Sequence, residues 1–266
     1  MRVYTNLFPE GKRKALTLSY DDGKIADRKL VEIMDRYGLR GAFHLNSAFL
    51  GDATHITKEE LPSLFKNHEV SVHTATHPHL IWSPMAQIVK EITDDRTALE
   101  AVMGFPIRGM SYPFGTYDSR VIAVLPSLGI EYARTTASHQ NFHMPENFLA
   151  WHPTCHHKAD VMALADRFIA EDPRDRMMLF YFWGHSYEFD NDRNWDVIER
   201  FGERIGKRSD IWYATNIEIV DYVNAQRALR FSADCTMVHN PSATTVWILA
   251  KGAPVAIAGG TAVTIG

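Results

Sequence analysis

Apolar positions along the chain fall into two alternating rhythms. Short runs with strand length and strand composition occur at residues 14–20 (KALTLSY), 40–46 (RGAFHLN), 69–73 (EVSVH), 107–113 (IRGMSYP), 130–135 (IEYART), 177–183 (MMLFYFW) and 211–214 (IWYA). Between them lie longer segments whose apolar residues recur at helical spacing. In 26–38, Leu30, Ile33, Met34 and Tyr37 line one face, and Gly38 suits the stop. The same spacing predicts helices over 57–68, from Ser83-Pro84 to about Met103, and over 118–129, 159–172 and 215–228. Ser83 is expected as an N-cap and Pro84 as a first-turn residue. The His-rich stretch before residue 159 has neither rhythm and reads as irregular.

Strands alternating with helices imply βα units around parallel strands, in a doubly wound sheet or an α/β barrel. Seven strands favour the barrel. From about Arg227 the helical period disappears. Short β-type runs and turn signals at Asn240-Pro241 and Gly259-Gly260 replace it. The expected division is therefore a barrel over residues 1–226 and a small antiparallel β appendage over 227–266.

Composition narrows the partners. The chain is 45% hydrophobic and 23% charged with a net charge of −4, as in an ordinary globular protein. That charge gives no general reason to expect nucleic acid or an anionic membrane. No run approaches the roughly 20 apolar residues of a membrane span. The N-terminal MRVYTNLFPEGKRKALTLSY lacks the pattern of a secretory signal, so a cytoplasmic location is expected. Cys155 and Cys235 form no disulfide framework or metal motif and are expected as unpaired thiols.

Candidate chemistry gathers after the strands. In parallel α/β folds the C-terminal strand ends are where ligands bind. Asp21-Asp22-Gly23 closes the first strand, where Gly23 lets the backbone leave strict alternation. His73 and His77, at i and i+4, would share one face of a helical turn and suit two imidazoles on one metal ion. His79 is a further imidazole nearby. Arg108-Gly109-Met110-Ser111-Tyr112-Pro113-Phe114-Gly115 ends the fourth strand, where Arg108 could pair with a carboxylate, and His185 follows the apolar 177–183 run. Two imidazoles and a carboxylate leave an open position for water, as in hydrolytic zinc sites, although cobalt, nickel or iron suit the same donors.

These motifs, SYDDG, HTATH, RGMSYPFG and FWGH, resemble in order and spacing those of the polysaccharide deacetylase (NodB-homology) family. The resemblance covers roughly residues 13–220 and implies a distorted (β/α)7 barrel. It implies Asp21 as general base, Asp22, His73 and His77 as ligands of one divalent ion, and His185 as general acid. By the same resemblance Arg108 orients Asp21, and the Tyr112 backbone N–H helps hold the oxyanion. The family's fourth motif, with its aspartate and tryptophan, is altered to LAWHPTCHH. Trp151 is expected to stand in as a pocket wall, and one of His152, His156 and His157 is a candidate for a site role. Trp183, Glu188 and Trp195 are expected to contact substrate.

The implied activity is hydrolysis of N-acetyl, or O-acetyl, groups on a carbohydrate. The alternatives are hydrolysis of another non-peptide C–N bond in a small intracellular substrate, and a non-catalytic carbohydrate-binding relative. An iron oxygenase would use the same donor set. The βα pattern and the separate Asp21 and His185 argue against it.

Overall fold

The computed structural model describes residues 2–265. Eight parallel strands form one curled sheet: β1 (Lys14–Asp21), β2 (Gly41–Leu45), β3 (Glu69–Val72), β4 (Gly109–Ser111), β5 (Tyr132–Arg134), β6 (Cys155–His156), β7 (Met178–Gly184) and β8 (Ile211–Tyr213). Their order in space is β5-β4-β3-β2-β1-β7-β6. One edge of β1 is shared, with β8 pairing Lys14–Leu16 and β2 pairing Leu18–Asp21. The helices α1 (Asp27–Tyr37), α2 (Leu61–Leu64), α3 (Met85–Met103), α4 (Ser119–Val124), α5 (Val161–Ala170), α6 (Tyr187–Asp192), α7 (Asp196–Ile205) and α8 (Asn216–Arg227) join these strands.

Side chains alternate across a strand, and the two faces of this sheet differ in chemistry. In β1, Leu16, Leu18 and Tyr20 join the main apolar core with the helices. The other parity carries Thr17, Ser19 and Asp21, all buried, into the barrel. There Thr17 Oγ1 bonds Asn216 Oδ1 at 2.8 Å, and Ser19 Oγ meets His44 Nδ1 at 3.2 Å. Lower in the barrel the Tyr132 hydroxyl and Ser71 Oγ both donate to Glu69 Oε1 at 2.7 Å. The barrel therefore has an apolar outside under its helices and, along this parity, hydrogen-bonded polar groups inside.

The His-rich stretch is largely irregular, as expected, but contains one short strand, Cys155–His156. Trp151 bonds along the edge of β5, its N–H donating to the Ala133 carbonyl (2.9 Å) and its carbonyl accepting from Thr135 (3.0 Å). Four residues later Cys155 and His156 pair with Phe182 and Trp183 of β7. That crossing joins the two ends of the sheet. Its pairing is too short to show a period in sequence.

The helix expected over 57–68 shrinks to Leu61–Leu64, because Pro62 can sit only in a first helical turn. At α3, Pro84 itself is the N-cap residue, and Ser83 Oγ donates back to the His79 carbonyl (3.2 Å) instead of capping. After α8, two three-stranded antiparallel sheets share a small core of Val238, Ile248, Ala250 and Ile257. One of them recruits Val3–Tyr4 from the N-terminal end. Cys155 is buried, Cys235 half-buried, and both are free thiols. Among the described residues no helix is long and apolar enough to cross a membrane.

Candidate active site

Asp21 is the last inward rung of β1. Asp22 then adopts left-handed backbone, φ 81°, and Gly23 follows at 65°. Such a conformation is uncommon outside glycine. It brings the Asp22 carboxylate to the same edge as Asp21, with Oδ1 3.6 Å from His73 Nε2 and 3.7 Å from His77 Nε2. The two histidines do not share a helical turn. They are joined by a loop with Thr74 (φ 66°) and His77 (φ 57°) left-handed. The Asn46 amide holds this loop by donating to the His73 and Thr74 carbonyls at 2.7 and 2.8 Å.

The donor chemistry of this trio fits a metal ion. His73 Nδ1 lies 2.9 Å from the Ser111 carbonyl, which can only accept. Nδ1 therefore carries the proton, and Nε2 offers its lone pair toward Asp22 and His77. A separation near 3.6 Å suits two ligands that share an ion at bonds of about 2.1 Å. A second cluster, His156, His157 and Glu188, is equally compact, but its tautomer is the opposite. The Lys158 N–H donates to His156 Nδ1 (3.2 Å), so His156 Nε2 is protonated and donates to Glu188 Oε2 at 3.1 Å. It is a hydrogen-bonded tether.

Asp21 is 2% exposed. Burial alone would raise its carboxyl, but the Arg134 guanidinium on Oδ2, aided by His73 and His44, holds it well below the usual range. Ser111 Oγ donates to Oδ1 at 3.1 Å. Arg134 is itself fully buried and lies over the Trp183 ring, 4.3 Å from its centroid.

The expected partner, Arg108, is elsewhere. It precedes β4, at the N-terminal end of the strand and so at the opposite end of the barrel. There it forks onto Asp221 (2.8 and 2.6 Å) and also bonds Glu131 (3.0 Å). Arg134, at the C-terminal end of β5, takes the place assigned to it. The Tyr112 N–H is also committed, donating to the Arg134 carbonyl at 3.0 Å as a continuation of the β4–β5 ladder. It is not free for an oxyanion.

His185 Nδ1 lies 3.3 Å from Glu188 Oε2, one helical turn later in sequence. The same oxygen accepts from His157 Nε2 at 3.0 Å, and Lys158 Nζ lies 3.2 Å from Oε1. Burial disfavours the Glu188 anion, yet the three imidazoles outweigh burial and hold its pKa well below the usual value. Glu188 is thus the carboxylate behind His185, and its oxygens are already taken, which removes it from the expected substrate contacts. His156 and His157 reach the site through it. His152 instead bonds Thr135 Oγ1 (2.6 Å) at the surface.

Of the three expected aromatic contacts, Trp183 is placed at the site. It lines a cavity of about 360 Å³ together with Asp21, Asp22, His73, His77 and His185. Trp151 is buried between Tyr132, Phe148 and Tyr181, because its inward parity places it in the barrel core. Trp195 packs on Phe189 beneath Lys29, with its indole N–H on Asp190 (2.8 Å), and does not line that cavity.

Comparison with known proteins bears on the fold and on the kind of family this chain resembles. Residues 9–133 match the polysaccharide deacetylase family. Over that stretch, just under half of its length, the chain is similar to that family. A chitin deacetylase from Pestalotiopsis sp is 26% identical over 113 residues, which is 42% of this chain and 38% of that protein. The chain thus spans well under half the length of this relative. Among solved structures, a putative polysaccharide deacetylase from Mycobacterium smegmatis superposes with a TM-score of 0.61 at 16% identity, covering 84% of this chain and 94% of that one. The Xyl-CE4 domain of a multidomain xylanase from the hindgut metagenome of Trinervitermes trinervoides gives 0.56 at 14%, covering 80% and 92%. At these identities the likeness establishes the deacetylase (β/α) barrel as the fold.

Proposed function

We propose that this chain is a polysaccharide deacetylase-family member and a metal-dependent hydrolase that removes acetyl groups from a carbohydrate, with N-acetyl groups as the first expectation. The observation that carries the reading is one cavity bordered by a metal-competent trio, a buried ionised carboxylate and an imidazole with its own carboxylate. Asp22, His73 and His77 would hold the ion, zinc in the first instance. When bound, a divalent ion there would polarise the acetyl carbonyl and make a water molecule acidic.

The chain's own residues supply the proton traffic. Asp21, kept ionised by Arg134, accepts the proton of the attacking water. The Tyr112 amide being occupied, we assign the oxyanion contact to the backbone of Phe114, which lines the same cavity in a left-handed turn at φ 57°. His185 turns Nδ1 to Glu188, which leaves Nε2 to give a proton to the departing amine or alcohol. Burial works against its cationic form, but Glu188, Asp21 and Asp22 together raise its pKa above the ordinary value. That favours the protonated ring a general acid needs.

The test is acetate release from N- and O-acetylated sugars by zinc- and cobalt-loaded protein. Asp21→Asn is expected to lose at least about a hundredfold in kcat, the low end of general-base contributions, while retaining one ion per chain. His73→Ala is expected to lose the ion itself. Near-normal turnover by Asp21→Asn would overturn the base assignment.

A further inference from the structure

Tyr187 opens α6, two residues after His185, and lines the same cavity as Asp21, Asp22, His73, His77 and His185. Its ring lies 5.4 Å from the His185 ring. The side chain is half-buried, and its hydroxyl is neither sealed in nor bonded: no described residue donates to it or accepts from it. A phenol is a donor only while it keeps its proton. Burial and the carboxylates of Asp22, Glu188 and Asp21 push the Tyr187 pKa up to about 12, with Lys158 opposing. Near neutral pH the cavity therefore holds an O–H donor whose proton is uncommitted.

That donor is held in place by its neighbours on both sides. Glu188 Oε2 accepts from the His185 N–H at 3.3 Å and from His157 Nε2 at 3.0 Å, which ties the first turn of α6 to the end of β7 and to β6. Lys158 Nζ, 3.2 Å from Oε1, adds a second tie. Phe189 packs on the His157 ring at 4.2 Å and closes the far side of the turn. A tyrosine between such anchors needs little rearrangement to present its hydroxyl, and fixed donors are worth most where charge develops during a reaction.

Acetyl hydrolysis develops charge of that kind. The carbonyl oxygen becomes an anion in a cavity that already contains two carboxylates. The Tyr112 N–H is spent on the Arg134 carbonyl, which leaves the Phe114 backbone as a donor on one side only. Of the charges acting on the phenol, Asp22 acts most strongly, which sets Tyr187 beside the candidate metal ligands rather than at the outer rim. We infer that the Tyr187 hydroxyl is a second oxyanion donor, hydrogen-bonded to the oxygen of the reacting acetyl group and bound more tightly once that oxygen carries charge. This rests on the deacetylase reading of the cavity. A tyrosine that only walls the cavity, or that only grips a hydroxyl of the substrate, would act equally before and after the charge forms.

Tyr187→Phe removes the oxygen and keeps the ring. Metal-loaded wild type and variant are compared for kcat and KM on N- and O-acetylated sugars. Calorimetry then compares their binding of N-acetylglucosamine and of its methylphosphonamide counterpart, in which a tetrahedral anion replaces the acetyl carbonyl. The variant should lose about a hundredfold in kcat, the low end for one oxyanion donor, with KM within about twofold and one ion per chain retained. Its affinity for the phosphonamide should fall by a similar factor, and its affinity for the amide should not. Unchanged kcat, or a loss confined to KM, overturns the donor and spares the activity. If the wild type releases acetate from no substrate, the deacetylase reading fails and calorimetry alone decides on Tyr187. Tighter phosphonamide binding by the wild type than by Tyr187→Phe then supports the donor, and equal binding overturns it.

Discussion

Asp21 and Asp22 carry like charges in adjacent positions, yet the structure gives each its own compensation. Asp21 ends a strand and meets Arg134 inside the barrel, whereas Asp22 leaves the strand with positive φ and faces two imidazoles. The motif itself was legible, and so were His73, His77 and His185, because each follows an apolar run that ends at the ligand-binding edge. Arg134 was hidden. It stands in a run, IEYART, that carries no motif, and only strand parity and the C-terminal strand end single it out. Arg108 failed that same test, since it precedes its strand. Glu188 was noticed for the wrong reason: the i, i+3 relation to His185 was present in the sequence, but its occupied oxygens were not. Its role can be tested directly. Glu188→Gln removes the largest influence that raises the His185 pKa against burial. That pKa then falls, and a smaller fraction of the acid is protonated at a given pH. The alkaline limb of the kcat/KM profile should shift to lower pH, while metal content stays at one ion per chain. An unmoved limb would separate Glu188 from the acid.

At the scale of elements, strands and helices followed the apolar rhythm wherever a run was long enough to express it. β1 and β7, with eight and seven residues, are of that kind. Two failures differ in cause: Pro62 confines α2 to four residues of a longer helical pattern, and β6, with two, is too short to show a period. Among the helices, α8 has the most complete start. Thr215 accepts from the Glu218 N–H, and the Glu218 carboxylate accepts from the Thr215 N–H at 2.8 Å. This reciprocal cap satisfies two donors that the first helical turn leaves open. It also places Asn216 under the barrel, where the amide donates to the Tyr181 hydroxyl at 2.6 Å. Thr215→Ala should therefore cost about 1 kcal/mol, within the range for loss of a side-chain cap, read as a lower urea midpoint at constant m-value. A change in m instead would mean that the cap shapes more than the helix end.

Across the whole molecule, the polar barrel interior makes stability a function of protonation as well as packing. Two buried histidines are kept neutral. His44, inside the barrel beside Ser19 and Asp21, is pushed down to about 3, chiefly by burial, with Asp21 opposing. His68, at the foot of β3 and edge-on to Phe43 at 5.5 Å, is pushed down to about 4 by burial, with Asp35 opposing. In the unfolded chain both take up a proton near the ordinary 6.5, whereas the folded protein refuses it until pH 4 or below. Between those values the unfolded state binds more protons, so unfolding becomes easier as pH falls. The loss begins just above pH 6.5 and accumulates down to about 4 for His68, and further for His44. His68 offers the cleaner test because it lies away from the candidate metal ligands. His68→Leu, which fills the place beside Phe43 without a titrating group, should flatten the slope of unfolding free energy against pH between 6.5 and 4. The comparison is by urea denaturation of metal-stripped protein at several pH values in that window. An equal slope in the variant and the wild type would show that His68 contributes nothing to acid sensitivity, and would leave His44 and the carboxylates of the site to account for it.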